Sequence, residues 1–155
     1  MAAEYVFIDE WDVDAPQEAV FAALADASTY PDWWKPVYKT VLVDGPPEVG
    51  RISKQCFKGR LPYELNTTSE IVRYEPPHQF EVSVIGDLTG RGVWTLSETA
   101  DGKVHIHFDW RVIADRPLLR ILTPLLRPLF RYNHNWSIKR AIEGLEQYAR
   151  ARGPS

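Results

Sequence analysis

The sequence is poor in cysteine: Cys56 stands alone among 155 residues. A single thiol excludes an intrachain disulfide and any multi-cysteine zinc or iron–sulfur site. No uncharged apolar run approaches the roughly 18 residues that a membrane-spanning helix requires. No positively charged start leads into an apolar core at the N-terminus, so no signal peptide is expected and the sequence reads as a soluble cytoplasmic protein. A phosphate-cradling loop is also missing, because Gly86, Gly90 and Gly92 have the wrong spacing for a dinucleotide fingerprint. Neither a Gly-x-Ser-x-Gly nucleophile elbow nor a His-Glu-x-x-His metal helix occurs. These absences predict no cofactor and no metal.

What is present is ordinary globular composition, with 45% hydrophobic and 25% charged residues. The length suits one domain covering residues 1–155, since domains typically run to roughly 100–150 residues. Charge is divided along the chain. Residues 1–115 carry 10 Lys/Arg against 19 Asp/Glu, a balance of −9, and residues 116–155 carry 8 against 2, a balance of +6. An acidic body repels nucleic acid, which is therefore not an expected partner. Aromatic residues are abundant, with 6 Trp, 7 Tyr and 6 Phe. That many rings must fill a core or line a hollow.

Tyr5, Phe7, Trp11 and Val13 alternate with polar residues, which predicts a half-buried first strand. Asp9 shares the parity of the aromatics. Asp14-Ala-Pro16 then opens a helix whose apolar face is Val20, Phe21, Leu24 and Ala25, and which ends before Tyr30-Pro31. From Val37 to Ile113 five turn signals divide the chain into six further strands: Asp44 to Pro47, Gly59 to Pro62, Glu75 to Pro77, Gly86 to Gly90, and Ala100 to Gly102. Connections this short favour antiparallel neighbours.

The C-terminal segment supplies a cover for this sheet. His134, Ile138, Ala141, Ile142, Leu145, Tyr148 and Ala149 fall on one side of a helix, with charged residues opposite. Pro117 to Leu129 is amphipathic too, with Arg116, Arg120, Arg127 and Arg131 forming a stripe. A single straight helix from 117 to 150 would set that stripe on the side of the later core face. An interruption at Pro124, Pro128 or Asn133 to Asn135 is therefore expected. The fold class is α+β: seven curved antiparallel strands around a long C-terminal helix, with one or two short helices between strands 1 and 2. A sheet curled around one helix leaves an apolar cavity, the usual form of a small-molecule site.

The order and spacing of several short motifs point the same way. They are Trp11-Asp-Val-Asp-Ala-Pro16 leading into Val20-Phe21, Tyr30-Pro31-Asp32-Trp33-Trp34, Leu61-Pro62-Tyr63, Glu75-Pro76-Pro77, the stretch from Gly86 to Leu96, and Phe130-Arg131-Tyr132-Asn133-His134-Asn135. Together they resemble the helix-grip superfamily of START and birch-pollen-allergen-like proteins (SRPBCC), in its polyketide cyclase/dehydrase and lipid-transport branch. Within it the chain looks most like a ligand-binding subgroup without an assigned reaction. The resemblance implies a pocket for a small hydrophobic molecule: a lipid, a polyketide or an aromatic compound. It also suggests an alternative, a cyclase or dehydratase that works with acid–base residues in the same cavity.

Trp11, Phe57, Trp94, Leu96, Phe108 and Trp110 are the expected walls, and Tyr132 joins them through its motif. Gln55 and Tyr63 are candidate polar contacts, although Ile52 and Cys56 argue for the opposite parity on that strand. Candidate acid–base residues are Asp9, His134 and Tyr63. A carboxyl at the inward position of Asp9 either costs desolvation energy unless paired, with a raised pKa, or lies close enough to the strand end to reach water. His134 either meets the ligand or is a hydrogen-bonded core residue. His105, His107 and Asp109 share one strand face, but its parity points them to solvent. Three readings stand for the arginine stripe: a face that is solvated or pairs with the acidic body, a clamp or lid for an anionic group, or weak membrane-surface contact through residues 117–131.

Overall fold

The computed structural model describes residues 4–34, 38–57, 64–114 and 117–152. Among the described residues seven strands form one antiparallel sheet: β1 (Glu4–Val13), β2 (Tyr38–Asp44), β3 (Ile52–Phe57), β4 (Leu65–Glu75), β5 (Gln79–Gly86), β6 (Leu88–Glu98) and β7 (Val104–Ala114). Their order is β1-β7-β6-β5-β4-β3-β2. Strands β2 to β7 thus form a meander, and β1 closes it by pairing with β7, Phe7 opposite Trp110 and Trp11 opposite Ile106. Helices α1 (Gln17–Ala25) and α2 (Tyr30–Trp33), joined by a 3-10 turn at Ala27–Thr29, make the excursion from β1 to β2.

Alternation sets the sheet's two faces, as the period of two requires. Tyr5, Phe7, Trp11 and Val13 are buried along β1, and Val104, Ile106, Phe108 and Val112 along β7. Helix α3 (Pro117–Arg152) lies across this concave face and buries Ile138, Ala141, Leu145 and Ala149. Each buried branched side chain in that row contributes roughly 1.5–3 kcal/mol of apolar transfer. At its C-terminal end Arg150 bonds both the Asp14 carbonyl (2.6 Å) and the Asp14 carboxylate (2.7 Å), tying α3 to the corner between β1 and α1.

Two expectations from the sequence need correction. Helix α3 runs through 36 residues without the interruption assigned to Pro124, Pro128 or Asn133–Asn135. The two prolines stand four apart, so the backbone donors they remove fall on one side and leave the rest of the ladder intact. Among the described side chains of α3, His134 and Ile138 are buried, while Arg127 is half-buried and Arg131 is exposed, so the two described arginines of the stripe are not buried with the core face. The break assigned to Gly86–Gly90 shrinks to Asp87, and Gly90 pairs within β6. A Cβ at Gly90 would collide with the Arg111 carbonyl oxygen of β7, so glycine here serves close strand approach rather than a turn.

A candidate ligand-binding cavity

Between the sheet, the α1–α2 segment and α3 lies a cavity of about 120 Å³. It is close in size to the roughly 150 Å³ engineered hollows that admit benzene, and below the roughly 300–1,000 Å³ of drug-sized pockets. Its size suits a guest of one ring.

The walls are mainly aromatic. Trp94 and Phe108 stack at 3.8 Å between centroids, and Phe80 lies parallel to Trp94 at 6.1 Å. Phe108 and Trp110 continue the row at 6.3 Å. Gly92 lies beneath them on β6. A Cβ there would sit 3.2 Å from Phe108 and 3.3 Å from Trp110, so the missing side chain leaves part of the space open.

On the β1 side His134 and Asp9 form a pair that the sequence named separately. Nε2–H of His134 donates to Asp9 Oδ2 across 2.6 Å. Their side chains are 6% and 20% exposed. The partner of Asp9 arrives from α3, 125 residues away in the chain. The imidazole stacks on Phe7 at 4.0 Å and lies near-parallel to Trp110 at 5.7 Å. These contacts fix the ring plane. Nδ1, the other ring nitrogen, has no hydrogen-bond partner among the described residues. The backbone carbonyl of Ser137, next to His134 along the helix face, accepts from Trp34 Nε1–H at 2.8 Å.

On the far side, β3 and β4 contribute a second polar group. Thr67 donates its hydroxyl to Gln55 Oε1 (3.1 Å), and Gln55 Nε2 donates to Ser69 Oγ (3.1 Å). Ser53 lies on the same inward face and also lines the cavity. Gln55 thus faces inward, which decides the parity that Ile52 and Cys56 had left open. Ser53, Thr67 and Ser69 were missed, because hydroxyl residues suggest an outer face. The alternation of Leu65, Thr67, Ser69 and Ile71, apolar at both ends, was the signal available.

Among the expected walls Trp94, Phe108 and Trp110 line the cavity. Trp11 and Leu96 do not: both are buried, and Trp11 meets Trp94 edge-on at 6.2 Å from behind. Tyr132 is 56% exposed, two residues from His134 and hence on a different helix face. Tyr63 and Arg116 fall outside the described residues, as do the side chains of Phe57 and Arg120. Of the remaining arginines, Arg127 lays its guanidinium over the Tyr5 ring at 4.8 Å, and Arg131 is exposed.

His105, His107 and Asp109 lie on the outer face of β7. His105 bonds Asp12 (2.7 Å) and Glu10 (3.3 Å) across the strand pair, while Asp109 bonds Arg111. Among the described residues no group of three such side chains is placed to hold a metal. The bonds to Asp12 and then Glu10 raise the His105 pKa above 6.5. The fold favours the charged ring, so its stabilising effect is complete below about pH 6.5 and fades as pH rises through the higher folded-state value. Solvent screens these exposed groups, so the effect is small. NMR titration of the imidazole is expected to show a midpoint above 6.5 that returns toward it in Asp12→Asn; an unshifted midpoint in the parent contradicts the pairing.

Residues 8–150 match the family described as polyketide cyclase / dehydrase and lipid transport. The chain belongs to that family. Its solved relatives agree in fold with the polyketide cyclase branch of the helix-grip proteins. TTHA0849 from Thermus thermophilus superposes with a TM-score of 0.78 at 17% identity, covering 97% of this chain and 100% of that one. The Zhui aromatase/cyclase from Streptomyces sp. R1128 gives 0.74 at 14% identity, covering 99% and 100%. The di-domain aromatase/cyclase BexL of the BE-7585A biosynthetic pathway gives 0.73 at 15%, covering 94% of this chain but only 50% of BexL. This polyketide cyclase/dehydrase-family chain thus spans about half of that di-domain protein. At such identities the likeness is one of fold alone. No curated protein matches the sequence. Among the described residues no helix is long and apolar enough to cross a membrane.

Proposed function

We propose that the protein binds a small, predominantly apolar molecule of about one ring in the cavity between its sheet and α3. The observation that carries this reading is the cavity itself: aromatic on its walls, yet lined by polar side chains that have unspent hydrogen-bonding capacity. A dry packing defect would be apolar throughout. Membership of a family whose description joins cyclase and lipid-transport roles is consistent with binding, and the cavity volume favours a ring compound over a long lipid chain. Native mass spectrometry of gently purified protein, followed by titration with one-ring and long-chain compounds, tests this. Ring compounds are expected to bind and long-chain lipids to bind weakly. A protein that takes up neither contradicts the reading.

The Asp9–His134 pair favours a second reading, an acid–base enzyme of the cyclase or dehydratase type. With Nε2 held against Asp9, Nδ1 is the ring nitrogen left to exchange a proton with a guest. It would accept a proton from an acidic C–H or O–H of a bound guest and return it elsewhere on the same molecule. Such help typically supplies about 10²–10⁴-fold in rate. The test is deuterium exchange at the α-carbon of phenylacetone, followed by NMR. The wild-type protein is expected to accelerate exchange, and His134→Phe to abolish the acceleration. Asp9→Asn is expected to reduce it by about 10²-fold with little change in KM, since Asp9 positions the ring rather than touching the guest. No acceleration by the wild-type protein contradicts this second reading and leaves the first standing.

A further inference from the structure

We infer that the polar patch on β3 and β4 is an oxygen-reading subsite, and that the guest it selects is an uncharged one-ring compound bearing a hydroxyl or carbonyl rather than a carboxylate or phosphate. This rests on the binding reading above and adds what the cavity discriminates.

The patch is buried and incompletely satisfied. Ser53 is only 5% exposed, lines the cavity, and its hydroxyl has no hydrogen-bond partner among the described residues. Buried polar groups are ordinarily paired, because leaving one unpaired forfeits its hydration without return. The neighbouring bonds leave further capacity. Thr67 spends its proton on Gln55, and Gln55 spends one amide N–H on Ser69. A second amide N–H of Gln55, the Ser69 proton and both roles of Ser53 remain. All of these groups are neutral.

The charge around the cavity decides the guest's own charge. None of the described lining residues is Lys or Arg. The titratable pair across the space already includes the Asp9 carboxylate beside His134. An anionic guest would lose its hydration among aromatic walls with no counter-charge to replace it. A neutral hydroxyl or carbonyl oxygen meets donors at no such cost. The sheet order sets β3 and β4 far from β1 around the curve. An oxygen held at Ser53 and Gln55 therefore lays the ring along Trp94 and Phe108 and turns its opposite edge toward His134.

Three probes of one skeleton test this: toluene, p-cresol and p-toluate at pH 7.5, titrated calorimetrically into the full chain. The readout is the ratio of affinities within each protein, which corrects for changes in the cavity as a whole. In the wild-type protein p-cresol is expected to bind about tenfold tighter than toluene, the factor one net hydrogen bond supplies, and p-toluate more weakly than either. In Ser53→Ala/Gln55→Met, which removes both groups that hold the oxygen at little change in volume, the cresol-to-toluene ratio is expected to fall to about one. The single Ser53→Ala variant carries the comparison if the double variant does not fold by circular dichroism. A ratio near one in the wild-type protein, tighter binding of p-toluate, or a ratio that survives both variants overturns the inference while leaving the cavity a binding site. Failure of all three probes to bind overturns the binding reading itself, a separable result.

Discussion

Trp94→Ala is expected to lower the unfolding free energy by about 4 kcal/mol, as large-to-small aromatic substitutions in cores do. The indole packs against several other rings. It stacks on Phe108 at 3.8 Å, lies parallel to Phe80 at 6.1 Å, and meets the edges of Trp11 and Trp34 at 6.2 Å and 6.5 Å. Removing it enlarges the cavity that it lines. A total stability of roughly 5–15 kcal/mol is usual for a domain, so this loss is a large share. Urea denaturation measures it, and Trp94→Phe is expected to recover more than half. The enlarged cavity should then admit two-ring guests that the parent excludes. A loss under about 1 kcal/mol would mean that the aromatic layer is not packed as described.

The second large effect is expected where two helices touch. Gly144 on α3 faces the backbone carbonyl of Trp33 at the end of α2, and a Cβ at that position would fall far inside contact distance of the oxygen. Backbone has no rotamer with which to yield. Gly144→Ala would ordinarily gain up to about 1 kcal/mol in a helix interior. Here the clash reverses the sign, and about 3 kcal/mol of net destabilisation is expected, at the upper end of overpacking costs. The midpoint of thermal unfolding should fall by roughly 6–12 °C. Because Trp34 and Tyr30 beside that contact line the cavity, affinity for a ring guest should fall as well. A stabilised Gly144→Ala protein would show that α2 and α3 are further apart than described.

Much of the fold was legible because the strands obey a strict period of two. Val104, Ile106, Phe108 and Val112 against His105, His107, Asp109 and Arg111 declare both faces of β7 without ambiguity. The seven strands, the helical excursion between the first two and the terminal helix all followed from such patterns and from turn residues. The continuity of α3 did not, since proline signals a break locally while the rest of the helix and its packing override it. At the site, Asp9 and His134 were each recognisable as polar residues on apolar faces. Their pairing was not, because sequence parity says which way a side chain points but not what stands opposite it. The hydroxyl patch on β3 and β4 was hidden for a related reason. Ser53, Thr67 and Ser69 look like an outer face until a cavity gives them a reason to be inside.

The central claim is that a ring-sized guest enters the space between sheet and α3. Titrating toluene into protein labelled at the tryptophan indoles, and following each Nε1–H by NMR, tests it most directly. The resonances of Trp94 and Trp110, which line the cavity, are expected to shift in a saturable manner, while Trp136, outside it and beside Arg140, stays in place. Shifts confined to Trp136, or no saturable shift at any indole, would contradict the account.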